Sequence, residues 1–283
     1  MKKKGTIRSV YWIFRPPADA PRLTGTEEAV RSVYRHWRMR QLFLTFWAYA
    51  VYYFVRKNFS VAMPLLEKEL KISKTDLGLF LTAHSVIYGI SKFANGYFAD
   101  RSNARTFLAF GLLASALLNF GFGLVNTVTL MGVLWCLNGW FQGMGFPPCA
   151  RVLSHWFAPR ERGTMWGVWN ASHMVGAAGI TIWAGYLAQN HGYKAVFFAP
   201  ATVAVLMGLV ILIFMRDTPA SVGLPPVNRY YGVATGSASE DEPDKEETSA
   251  EFKAFLRKRV FGNPYVWFIC LANFCVYVVR QAF

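Results

Sequence analysis

The sequence predicts an all-α polytopic membrane protein: a six-helix N-terminal bundle, a cytoplasmic linker and a seventh spanning helix. Three observations predict it. Of 283 residues, 54% are hydrophobic and only 16% charged, whereas a soluble domain carries about 25% charged residues. Apolar windows of about 20 residues recur along the chain, the length a helix needs to cross a hydrocarbon core. The formal charge of +14 gathers in a few segments beside those windows, which is how topology signals are distributed. That clustering argues for a lipid bilayer and against nucleic acid as the partner.

Residues 1–40 are polar and basic, and read as a cytoplasmic amphipathic segment. In "TGTEEAVRSVYRHWRMRQ", Thr24 and Glu27 stand at capping-box spacing, and Val30, Val33, Tyr34 and Trp37 share one helical face. The segment is therefore expected to lie as a helix at the membrane interface. Residues 41–215 carry six spans, at roughly 41–63, 75–99, 104–126, 129–154, 163–189 and 193–215. In the fourth, Pro147 and Pro148 predict a bend, Gly139, Gly143 and Gly145 predict close helix approach, and Gln142 is the polar side chain placed to meet a cavity.

Residues 216–262 form a linker, because "GSASEDEPDKEETSAE" is too rich in Ser, Pro and acids to bury a core. Residues 263–283 are the seventh span. Six spans, a linker and a seventh is the layout of a two-bundle transporter. Five further spans would complete the second bundle, so the chain is expected to be a fragment. The short match of "VYYFVR" with "CVYVVR" aligns Arg56 with Arg280, at the first helices of two parallel repeats.

Orientation follows from the bases. Lys2, Lys3, Lys4, Arg31, Arg35, Arg38 and Arg40 precede the first span, Arg101 and Arg105 follow the second, and Arg160 and Arg162 follow the fourth. The opposite loops are short and poor in Arg, although the first of them balances three lysines against three acids. The amino terminus is thus expected in the cytoplasm and the chain in the inner membrane.

Arg56 lies about 22 Å into its span at 1.5 Å per residue. Placing Arg near a bilayer centre costs from about 2.5 kcal/mol upward, so such a residue normally faces a cavity or a partner. Snorkelling to the outer surface is the alternative. With Arg280 at the equivalent position, two guanidinium groups offer planar forks that suit phosphate or carboxylate. Span two aligns His84, Tyr88 and Lys92 on one face, and Lys92 either enters a cavity or snorkels. Span five places Trp166, Trp169, Asn170 and His173 on a shared face, where the histidine is either a packing element or a site residue. Tyr49, Tyr52 and Tyr53 are expected to line a cavity as hydroxyl donors.

No constellation for covalent chemistry occurs: there is no phosphate-cradling Gly loop, HExxH, Cys pair or serine elbow. The chain is accordingly not read as an enzyme, and no cofactor or metal is expected. Cys136, Cys149, Cys270 and Cys275 read as small hydrophobes in packed helices.

At these residues the chain resembles the organophosphate:inorganic phosphate antiporters of the major facilitator superfamily. The general cue is "GYFADRSNAR", similar to the loop between spans two and three of that superfamily. More specific are "YYFVRKNFSVAMP", "YGISKFANG", "GWFQGMGFPPCAR", "HWFAPRERG", "VWNASHMVG" and "RDTPASVGLPP". The resemblance implies exchange of a phosphorylated small molecule for inorganic phosphate, or else a sensor of hexose phosphate signalling to a membrane histidine kinase. It implies that Arg56 and Arg280 hold phosphate and that His173 and Lys92 bind substrate. Tyr49 and Trp169 match pore-lining aromatics, with Tyr53 and Asn170 beside them, and Asp100, Arg101 and Arg105 match the loop that clamps the gate.

Overall fold

The computed structural model describes residues 14–16, 18–24, 26–230, 257 and 261–282, the side chains of 228, 229 and 277–282 excepted. It divides into two compact units, Met1–Val233 and Ala234–Phe283. The first contains α1 (Glu27–Leu70), α2 (Lys74–Asp100), α3 (Ala104–Leu124), α4 (Val128–Gln142), α5 (Phe146–Trp156), α6 (Pro159–Phe214) and the short α7 (Val227–Tyr230). The second contains α8 (Pro264–Ala282).

The helices start and stop where local chemistry dictates. Ser73 caps α2 by accepting from the Asp76 N–H at 3.1 Å, and Asn103 caps α3 by accepting from the Arg105 N–H at 3.0 Å. Lys71, at φ 52°, closes α1 in the left-handed conformation. Pro147, Pro148 and Pro159 fall in the first turns of α5 and α6, where the missing N–H has no helical partner to lose. The fourth expected span is therefore two helices. The break lies at Gly143–Gly145, ahead of the prolines, which open the next helix instead of bending one.

The lead-in also differs from expectation. Its cap is Thr26, not Thr24, and the helix runs without interruption from Glu27 into the first span. At 44 residues, α1 is about 66 Å long, roughly twice a hydrocarbon core. Its apolar face is covered by protein: Tyr34 is fully buried, 4.4 Å from the Tyr230 ring and 6.0 Å from Trp156, and Trp37 stacks on Trp156 at 6.4 Å. Ahead of the helix, the N–H groups of Ala20 and Leu23 donate to Ala220 and Gly223. Gly223 is required there, since its φ is 75° and a Cβ would meet the Pro21 carbonyl at 2.3 Å.

α6 contains two spans. Gly192, at φ 74° and ψ 178°, interrupts it, and side-chain contacts show that the chain turns back there. Glu161 near its start pairs with Arg38, and just past its end the Arg216 N–H donates to Gln41, three residues from Arg38 on α1. At the turn, the Tyr193 hydroxyl meets Asn126 at 3.1 Å, at the far end of the bundle. Lys74–Asp100, Ala104–Leu124 and Pro159–Phe214 are each long and apolar enough to cross a membrane. Leu79, Ile90, Leu117, Ile182 and Leu206 are exposed on these helices, as a lipid solvent allows.

The core holds polar ties as well as apolar packing. Asn58, Asn119 and Asn138 are buried. The Asn58 amide donates to Asn119 Oδ1 at 2.8 Å and to the Val196 carbonyl at 3.1 Å, joining α1, α3 and the second half of α6. Tyr52 is part of this interior: its hydroxyl donates to the Leu108 carbonyl at 2.8 Å, and its ring fills the space left by Gly111 and Gly145. It lines no cavity. Gln142 likewise points inward, donating to Ser115 at 3.3 Å.

In the second unit, Asn263 Oδ1 accepts from the Tyr265 N–H at 3.0 Å at the start of α8, and the Trp267 indole donates to the Phe261 carbonyl at 2.9 Å. Most of the expected linker, 216–262, lies outside the described residues.

Candidate functional site

The site begins from a spacing on α1. Tyr49, Tyr53 and Arg56 stand at i, i+4 and i+7, so they share a face. On α2, Tyr88 and Lys92 are one turn apart and face them. The Arg56 guanidinium lies over the Tyr88 ring at 4.0 Å and 5.5 Å from that of Tyr53. The Lys92 ammonium approaches the same Tyr88 ring at 5.0 Å and the Phe146 ring at 5.0 Å. One tyrosine thus meets two cations, each within cation–π range of its ring.

Aromatic contacts from α5 and α6 complete the wall. Tyr49 packs on Trp169 at 4.7 Å, Phe146 on Trp166 at 5.9 Å, and Tyr53 on His173 at 5.8 Å. Trp169 is fully buried, whereas Tyr53, Arg56, Lys92 and His173 are half-buried. Among the described residues the salt bridges are Arg38–Glu161, Lys74–Glu67 and Arg151–Asp217, none of which reaches Arg56 or Lys92. Aromatic rings and cations therefore dominate this surface. In a medium of low dielectric, two such cations create a field that an anion of matching size relieves.

A groove of about 700 Å³ leads away from Lys92 and Phe146, between α2, α5 and α6, to Arg151 and Arg162. Its far end is built from charge and backbone. Arg151 Nε meets Asp217 Oδ1 at 3.3 Å, its Nη1 donates to the Asp100 carbonyl, and Arg162 donates to the Ser154 carbonyl at 2.9 Å. The Trp156 indole donates to the Asp217 carbonyl at 3.2 Å.

The structure brings together Arg56, Lys92, Tyr49, Tyr53, Trp169 and His173 of the expected substrate residues. Asn170 is exposed and joins none of these ring contacts. Arg280 falls on α8, and its side chain lies outside the described residues. Of the residues expected at a gate, Asp100 contributes its carbonyl to Arg151, Arg101 lies over the Tyr97 ring at 4.0 Å, and Arg105 is half-buried. Sequence reasoning placed Tyr88 on the polar line of span two without making it a site residue. It overlooked Arg151 and Asp217, which sit in sequence-distant stretches with no shared period. Tyr88 was legible from its i, i+4 relation to Lys92.

A Major Facilitator Superfamily profile matches residues 45–283. Over 95% of its length the chain is 39% identical to a probable hexose phosphate transport protein of Chlamydia pneumoniae and 40% identical to a glycerol-3-phosphate transporter of Bacillus subtilis. Over the same share it is 39% identical to the membrane sensor protein UhpC of Escherichia coli. It spans about 60% of the length of each of these relatives. Among solved structures, a bacterial homologue of the human lysosomal transporter Spinster, inward-facing and unoccupied, superposes with a TM-score of 0.59 at 16% identity, over 82% of this chain and 50% of that one. The chain belongs to the Major Facilitator Superfamily, and within it is similar to proteins named for phosphate esters.

Proposed function

We propose that this chain is the N-terminal part of a secondary transporter that exchanges an organic phosphate ester for inorganic phosphate by alternating access. The observation that carries the reading is the Arg56–Tyr88–Lys92 cluster, which holds two cations at the head of a groove without a carboxylate in salt-bridge range among the described residues. A phosphoryl group supplies the missing charge, and its oxygens suit a guanidinium fork. Arg280, from the partner bundle, supplies the second fork. Binding then draws the two halves together, and the empty carrier, with its cations uncompensated, returns slowly. That is a physical basis for obligatory exchange.

Tyr49, Tyr53, Trp169 and His173 shape the wall, with Asn170 at its exposed margin, and Asp100, Arg101 and Arg105 act at the gate. The distribution of bases supports a cytoplasmic amino terminus in the inner membrane. The similarity to a membrane sensor protein supports one alternative, a receptor that binds a hexose phosphate and signals to a membrane kinase.

The test uses the full-length protein in vesicles loaded with labelled phosphate. External sugar phosphate or glycerol 3-phosphate is expected to release the label, and Arg56→Lys to abolish most of that release. Binding without release identifies a sensor, and full activity of Arg56→Lys overturns both readings.

A further inference from the structure

We propose that the basic end of α1 is a binding site for the phosphate of an anionic phospholipid headgroup, separate from the transport groove. A hollow of about 510 Å³ on the outer side of α1 is lined by Ser32, Arg35, His36, Met39, Arg40 and Phe43. These residues recur at helical spacing on one face, and they change character along it. Arg35 and His36 are exposed at the outer level, Met39 and Phe43 are 39% and 60% exposed below them, and Trp47, one turn further, is 50% exposed. Basic above and apolar below is the gradient that a phospholipid crosses from headgroup to acyl chain.

Among the described residues, no salt bridge reaches Arg31, Arg35 or Arg40. Between Glu28 and Glu67 the chain carries no acid, so on this part of α1 only Glu27 and Glu28, in the first turn, stand against Arg31, Arg35, Arg38 and Arg40. Arg38 has Glu161. By contrast, Arg31 and Arg35 are exposed and line a second cavity, of about 410 Å³, on the flank beside the stacked Tyr34–Tyr230 pair. The Arg40 guanidinium lies over Trp37 at 4.7 Å and Phe214 at 5.1 Å, contacts that hold it in place while its N–H groups still suit oxygen acceptors. A lipid fits better than a free phosphate, because a free anion would leave Met39, Phe43 and Trp47 uncovered. α1 also continues from this point into the first span.

The purified full-length protein, stripped of lipid and titrated with phosphatidylglycerol or phosphatidylcholine of the same acyl chains, tests this by native mass spectrometry. Phosphatidylglycerol is expected to bind more tightly. Each arginine near a charged surface contributes about fivefold, so Arg35→Gln/Arg40→Gln weakens it roughly thirtyfold, and Arg35→Lys/Arg40→Lys recovers most of the loss. Arg35→Gln alone, at an exposed position that leaves folding intact, weakens it about fivefold. Equal affinity for the two lipids, or unchanged affinity in the Gln variants, overturns the site. Displacement of phosphatidylglycerol by millimolar inorganic phosphate overturns it in favour of a soluble anion. Because Arg35 and Arg40 lie outside the groove, phosphate exchange does not decide the outcome.

Discussion

The Asn138 side chain donates to the carbonyl of Val55 at 3.0 Å, on the residue that precedes Arg56. Asn119 donates to the same carbonyl at 3.1 Å, to the Ser115 carbonyl at 2.9 Å, and accepts from Asn58. Two helices thus grip α1 beside its guanidinium. Asn119→Leu strips three hydrogen bonds and is expected to destabilise the protein by about 2–3 kcal/mol, whereas Asn138→Leu costs about 1 kcal/mol, because Asn119 still serves Val55. The double variant is expected to depart from the sum of the two, since both side chains share one acceptor. Thermal unfolding in detergent measures all three, and strict additivity would contradict the shared acceptor.

At Gly176, α6 packs directly against the backbone of α1. A Cβ there would stand 2.4 Å from the Ala50 carbonyl oxygen and 2.8 Å from its Cα, and backbone atoms cannot swing aside. Gly176→Ala is expected to cost about 1–3 kcal/mol by forcing the helices apart, and to displace Tyr49 from Trp169. On the same helix, a Cβ added at Gly185 would meet nothing within 4 Å. Gly185→Ala therefore leaves stability unchanged or raises it by up to about 1 kcal/mol through helix propensity. Similar losses at the two positions would remove the steric account.

Tyr88 meets both cations of the site. If its ring is what holds them, Tyr88→Phe keeps both cation–ring contacts and phosphate affinity stays within about threefold, whereas Tyr88→Leu loses roughly tenfold or more. Phosphate titration of the full-length protein by calorimetry distinguishes the cases. Equal loss in both variants would assign the role to the hydroxyl instead.

Much of this architecture is legible in the sequence because bilayer physics leaves few choices. Arg56 announces itself by the cost of its position, and Tyr49, Tyr53 and Lys92 follow from helical spacing. The parts that were misread share a cause. Tyr52 and Tyr53 are neighbours about 100° apart on a helix, so one enters the core while the other meets Arg56 and His173, and composition cannot say which. The break before Phe146 follows from Pro147 and Pro148, which have no N–H to bond back to residues 143 and 144, while Gly143 is fixed by close packing, since a Cβ there would stand 2.2 Å from Ser91 Oγ. The asparagine knot depends on three positions that no period links. Arg151 and Asp217 meet only because α6 turns back at Gly192 and carries its end to the helix that follows α4.

That pair gives the last prediction. Asp217 is 1% exposed and the Arg151 side chain 10% exposed, so the carboxylate is buried and the guanidinium mostly so, at the far end of the groove. Removing one partner of a buried pair leaves a charge uncompensated, at a cost of about 3–5 kcal/mol. Asp217→Asn approaches that cost, since the amide keeps the shape but not the charge. Arg151→Met/Asp217→Asn is expected to regain much of it, because no buried charge remains. The double variant should not behave as wild type, however. Arg151 also donates to the Asp100 carbonyl, where α2 ends, and so ties α5 to α2. Without that tie the groove opens more readily at this end, and the full-length double variant is expected to show a changed exchange rate with near-normal phosphate affinity. Melting temperature, exchange rate and affinity on the same three variants check this. Wild-type exchange in a restored double variant would reduce the pair to a brace.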